Sequence, residues 1–183
     1  MSTFTQTAIL DTFESMLDRM SFEKITVSAL IRECGISRNT FYYHYSDIFA
    51  LLDDWILRAL QPYDSTGRDV RWQDQVKALL HTCCDNRRRV IHIYHSLSRD
   101  RLEQYVFGRT DNFIVSYIRQ QAAGRDLPEE RLQAVSDILR YALYGFFLRF
   151  LWSGMNGNID DSVEQLGALF EEILHSTLLD TNT

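Results

Sequence analysis

Residues 26–45 read TVSALIRECGISRNTFYYHY. Val27, Leu30 and Ile31 recur at spacings of three and four, which places them on one stripe of a short helix that the Thr26 hydroxyl suits as a cap. Gly35 stands where a residue in the left-handed conformation ends such a helix. Ser37 then suits the cap of another short helix, 38–43, so the spacing is that of a helix-turn-helix. The first turn of that second helix carries Ser37, Arg38, Asn39 and Thr40. Arg and Asn side chains can pair bidentately with guanine and adenine edges in the major groove. The hydroxyls of Ser37, Thr40, Tyr42 and Tyr43, together with His44, suit phosphate, which a helix N-terminus also attracts. Phe41 and Tyr45 lie four apart on one face and are expected inside, with Tyr42 and Tyr43 outside.

Outward from this stretch the pattern stays helical. Ile9, Phe13, Met16, Leu17 and Met20 predict a helix over 5–20, and Ser46 or Asp47 suits the cap of one that runs to residue 60. Residues 61–71 read as a loop, and further helices are expected at 72–84, 90–96, 99–121, 128–153 and 161–179, with a turn at 124–126 and a linker at 153–160. Only 2 prolines and 8 glycines interrupt the chain and no alternating strand pattern occurs, so the fold is expected to be all-α. The division this suggests is a helix-turn-helix domain at 1–46, a connecting helix at 47–62 and a helical domain at 63–183.

With 45% hydrophobic and 24% charged residues the composition excludes a disordered tail or a fibrous repeat. The longest apolar stretch, 141–152, is too short for a bilayer, and the N-terminus has no export pattern, so a cytoplasmic protein is expected. Cys34, Cys83 and Cys84 form no C-x-x-C unit and are expected as reduced thiols. His81 with Cys84, and His92 with His95, have the spacing of metal ligands on a helix, but no further ligands support them, and neither metal nor cofactor is expected. Enzyme motifs such as G-x-S-x-G, H-E-x-x-H or a phosphate loop are missing. A net charge of −6 argues against indiscriminate nucleic-acid binding and leaves room for a local contact.

At Thr26, Leu30, Gly35, Ile36, Ser37, Thr40, Phe41, Tyr42, His44 and Tyr45 the chain resembles the TetR family of transcriptional regulators. The resemblance implies a three-helix DNA-binding head followed by a helical domain for dimerisation and ligand binding. It implies that Arg38, Asn39, Thr40 and Tyr43 face bases or the adjoining sugar-phosphate, that Tyr42 and His44 hold the backbone, and that Thr26 and Ser28 contact phosphate. The stretch TFYYHYSDIFALLDDWI and a later W-x-x-G-M segment are similar to the branch that includes dihydroxyacetone-kinase operon regulators, some of which are co-activators that bind a partner protein. Two features depart from the family. Ile48 stands where many members have lysine, and residues 1–50 hold four basic and six acidic side chains.

In 128–153 apolar side chains occupy nearly the whole circumference of the second half, which calls for cover from a second subunit. Leu143, Phe146, Phe147, Phe150, Leu166, Phe170 and Ile173 are the expected interface of a homodimer, whose two-fold axis implies a palindromic operator. Tyr94, Tyr105, Phe107, Phe113, Tyr117, Tyr141 and Tyr144 are candidates to line an effector pocket or simply to fill a core, and Arg87, Arg88 and Arg89 form a basic run expected on a solvated surface. The expected function is a homodimeric, sequence-specific regulator on double-stranded DNA, modulated by a small molecule or a partner protein. The alternatives are a partner-dependent co-activator with weak DNA affinity of its own, or a zinc or thiol sensor. With so few cations near the motif, the plot of log affinity against log salt should be shallow, with a slope set by only a few phosphates per subunit; duplex titrations at several salt concentrations measure it.

Overall fold

A computed structural model describes residues 2–60, 71–123 and 128–176. Among them every regular element is helical: α1 (Ser2–Arg19), a 3-10 turn (Phe22–Lys24), α2 (Val27–Cys34), α3 (Arg38–His44), α4 (Ile48–Leu60), α5 (Trp72–Asp85), α6 (Arg87–Tyr94), α7 (Arg99–Gln121), α8 (Glu129–Trp152) and α9 (Ile159–Leu174). The all-α expectation holds. The expected loop up to residue 70, the turn at 124–126 and the end of the last helix at 177–179 lie outside the described residues. Two compact units form, one from residues 1–64 and 82–98 and the other from 65–81 and 99–183, so the division falls within α5.

In the first unit Ile9, Phe13, Met16 and Leu17 are buried as their spacing requires. Met20 is only half-buried, because α1 ends at Arg19 and Met20 lies beyond its last turn. Phe22 turns its ring edge toward Phe13 at 6.1 Å and Phe49 at 5.4 Å, tying the 3-10 turn to the core. α6 packs on α1 in this same unit. It begins at Arg87, three residues before the expected start, with Asn86 in the N-cap position. Arg89 is thereby brought to α1. Its Nε and Nη2 donate to Asp18 Oδ1 and Oδ2, each at 2.8 Å, and its Nη1 lies 2.6 Å from Glu14 Oε1. His92 Nδ1 meets the Leu17 carbonyl at 2.6 Å.

In the second unit α7 and α8 pack together, burying Val106, Ile114 and Ile118 on one helix and Val135, Leu139, Leu143 and Tyr144 on the other. Trp72 stacks on Phe170 with centroids 5.3 Å apart, and Gly167 leaves the space that Gln73 fills, since a Cβ there would meet Gln73 Nε2 at 2.8 Å. Glu164 accepts from Arg71 Nη2 at 3.0 Å and Lys77 Nζ at 2.5 Å, joining α9 to the start of α5.

Hydrogen bonds from Arg89 hold the Asp18 carboxyl below its ordinary value of 3.8. The stabilisation from this pair is thus complete above that value and is lost as pH falls through the lower folded-state value. Because Asp18 is partly exposed, Asp18→Asn should remove only on the order of 1 kcal/mol at neutral pH. Urea midpoints of the two proteins should differ at neutral pH and converge in acid. Phe41, fully buried, should cost about 3 to 5 kcal/mol when cut to alanine, read by the same unfolding titration.

Candidate nucleic-acid interface

Local chemistry builds the turn between α2 and α3. Thr26 accepts a hydrogen bond from the Ala29 N–H at 3.1 Å and so caps α2. Gly35 ends that helix with φ at 71°, and both its own N–H and that of Ile36 bond to the Ile31 carbonyl. Ser37 starts α3 by accepting from the Thr40 N–H at 3.1 Å, and its hydroxyl lies 2.8 Å from that of Thr40. Leu30 points inward as expected, whereas Val27 and Ile31 are half-buried.

α3 then sorts its side chains by face. Phe41 and Tyr45 are buried, and the Tyr45 hydroxyl donates to Asp54 Oδ2 at 2.6 Å, an oxygen that also accepts from Gln6 Nε2 at 2.9 Å. Burial and the neighbouring carboxylate drive the Tyr45 hydroxyl well above its ordinary pKa, so it remains a proton donor. On the other side Arg38, Asn39, Tyr42 and Tyr43 are exposed, Tyr43 at 79%. Thr40 and His44 are half-buried, with the His44 ring edge-on to Tyr43 at 5.0 Å. Arg38 Nη2 donates to Ser28 Oγ at 3.0 Å, so these two exposed groups meet across α2 and α3. Thr26, Ser28, Ser37, Arg38, Asn39, Thr40, Tyr42, Tyr43 and His44 therefore belong to one helix-turn-helix, with Thr26 and Ser37 already engaged in capping.

The charges around it are restrained. Arg19 pairs with Glu33. Of Ser46 and Asp47 it is Asp47 that caps α4, accepting from the N–H groups of Phe49 and Ala50 at 2.8 Å each. A carboxylate therefore occupies the two first-turn donors that an unassisted helix start would offer to a phosphate. Pattern reading left this role open between Ser46 and Asp47, since either side chain can cap.

Three of the seven residues expected at a subunit interface turn out to be covered by the chain itself. Leu143, Phe150 and Phe170 are buried within the second unit, Phe146, Phe147 and Leu166 are half-buried, and Ile173 is 37% exposed. The larger exposed apolar side chains on α8 and α9 are Ile138, Tyr141, Trp152 and Leu169. A helix apolar on nearly every side gives no periodic signal of which side its own domain covers. The aromatic set is likewise not one lining. Tyr94 is in the first unit, Tyr144 is buried, Tyr141 is exposed against Phe107 at 5.2 Å, Tyr105 and Tyr117 are half-buried, and the Phe113 side chain lies outside the described residues.

His81 lies 3.4 Å from Asp160, while His92 is bonded to the Leu17 carbonyl, and no group of three or more His, Cys, Asp or Glu among the described residues is placed to hold a metal ion. Burial pushes the Cys83 thiol up to about 12, which keeps it protonated and unreactive at neutral pH. Arg87 and Arg88 are exposed as expected of a solvated run, but Arg89 is engaged by α1.

Residues 71–172 match the model of a TetR-type family described as transcriptional regulator C-terminal region. A solved structure, a TetR transcriptional regulator from Streptococcus agalactiae 2603V, is similar with a TM-score of 0.62 and 22% identity over 94% of each chain, a likeness of fold. No curated protein matches the chain in sequence.

Gly35 has open space around its α-carbon, so Gly35→Ala should cost about 1 to 2 kcal/mol from the left-handed backbone alone, with Gly35→Asn less damaging. Urea unfolding of the three proteins checks the order.

Proposed function

The chain belongs to the TetR family of transcriptional regulators, and we propose that it acts as a homodimer that binds a palindromic DNA operator through α2 and α3. What carries this reading is the two-sided α3, with Phe41 and Tyr45 buried behind it and Arg38, Asn39, Tyr42 and Tyr43 exposed on the outside. Arg38 and Asn39 read base edges, while Thr40 and Tyr43 meet bases or the adjoining sugar. Tyr42, His44, Thr26 and Ser28 hold phosphates, and Ser37 contributes by setting the start of α3. Residues 1–46 carry the DNA contacts, 47–62 form the connecting helix, and within 63–183 the helices other than α6, which braces α1, dimerise and receive the signal. The exposed apolar side chains of α8 and α9 support the two-fold contact. An effector or partner protein acts by favouring one spacing of the two heads. No described helix is long and apolar enough to cross a membrane, in keeping with a cytoplasmic regulator.

One observation favours a second reading. Arg19 is paired with Glu33 and Asp47 already caps α4, so the head offers few free charges for phosphate. This suits a co-activator that depends on a protein partner, as in the branch resembling dihydroxyacetone-kinase operon regulators.

Selection from a random duplex library at low salt separates the two. Enrichment of a palindrome is expected; a dimer that enriches nothing transfers the case to the co-activator. On the selected site Arg38→Ala should lose about 1 to 3 kcal/mol of discrimination. Equal losses on specific and random duplexes would make Arg38 a phosphate contact.

A further inference from the structure

Where α8 turns into α9, the second unit holds a cleft of about 330 Å³ that DNA recognition leaves unused. Its floor includes Phe146, Phe150 and Ile159, and its rim includes Arg149, Asn158 and Ser162. The volume is within the range of small-molecule sites, and the lining sets the apolar side chains of Leu80, Phe146, Phe150 and Ile159 beside the polar ones of Arg149, Ser153, Asn156, Asn158 and Ser162. The turn beneath it is tightly built. Gly154, Met155 and Gly157 all have positive φ, at 69°, 57° and 122°. The Met155 N–H donates to the Phe150 carbonyl at 2.8 Å, and the Met155 side chain is buried. The site is thus shaped before any ligand arrives.

Arg149 is the one charged side chain in this lining. Its guanidinium lies 5.7 Å from the centroid of the Phe146 ring, and no carboxylate among the described residues pairs with it. Arg58, Arg71, Lys77, Arg89 and Arg119, by contrast, all have carboxylate partners, whereas Arg149 faces the cleft without one among the described residues. The two acids in the first turn of α9 are engaged elsewhere, Asp160 toward His81 and Asp161 with the Asn158 amide at 2.6 Å. The Ser162 hydroxyl has no partner among the described residues.

We infer that this cleft binds a small carboxylate with an apolar body, the acid on Arg149 and the body over Phe146, Phe150 and Ile159. Its importance as a signal rests on the proposed regulatory function, whereas binding does not, and the test omits DNA. The probes are 3-phenylpropionate and its uncharged amide, titrated into the full chain with the Ile159 methyl observed by NMR. Saturable Ile159 shifts are expected, with the acid about tenfold or more tighter than the amide. Arg149→Gln, a change at an exposed site, should bring the acid to the level of the amide and leave the amide unaltered. Equal affinity of acid and amide, a preference that survives in Arg149→Gln, or the absence of Ile159 shifts with millimolar probe would each overturn the inference.

Discussion

A helix of seven residues has too few turns to hold itself in water, so α3 exists because its neighbours hold it. Phe41 supplies the apolar anchor at the middle of the helix. Tyr45 supplies a polar one just past its end, where the hydroxyl is donated to an Asp54 oxygen that Gln6 of α1 also reaches. A buried hydroxyl without such a partner would be destabilising, and here the bond joins α1, the end of α3 and α4. With one face of α3 committed in this way, the exposure of Arg38, Asn39, Tyr42 and Tyr43 follows from helical geometry alone.

Much of this was legible from residue types because the controlling chemistry is local. Thr26 and Ser37 cap the helices that follow them, Gly35 adopts the left-handed conformation, and the four-residue spacing of Phe41 and Tyr45 buries both. What escaped sequence reading depends on distant partners. Arg87, Arg88 and Arg89 look like a surface run, and only the carboxylates of Glu14 and Asp18, some seventy residues earlier, draw Arg89 out of it. The faces of α8 were illegible for a different reason. Its apolar residues lie nearly all round, so what decides which are covered is the neighbouring helices, α7 above all, which packs on α8.

The same carboxylates that organise the fold also limit its electrostatic reach. Glu33 engages Arg19, Asp54 accepts from Tyr45, and Asp47 fills the donors at the start of α4. Each stabilises a helix end or a packing contact close to the recognition turn, and each lowers the potential there. Under the proposed function, a head built in this way would recognise DNA by shape and by a few directed hydrogen bonds more than by bulk attraction.

The discontinuity of the first unit bears on how the protein is made. The ribosome releases α1 through α4 well before α6. During that interval Asp18 and Glu14 await the guanidinium of Arg89, and the Leu17 carbonyl awaits the His92 ring. The nascent head therefore gains these bonds only after the chain has been extended through α5, whose first turns belong to the other unit. The first unit is thus completed only once residues 82–98 have followed the short first segment of the second, and a fragment cut after α4 would contain the whole turn between α2 and α3 yet lack a piece of its own scaffold.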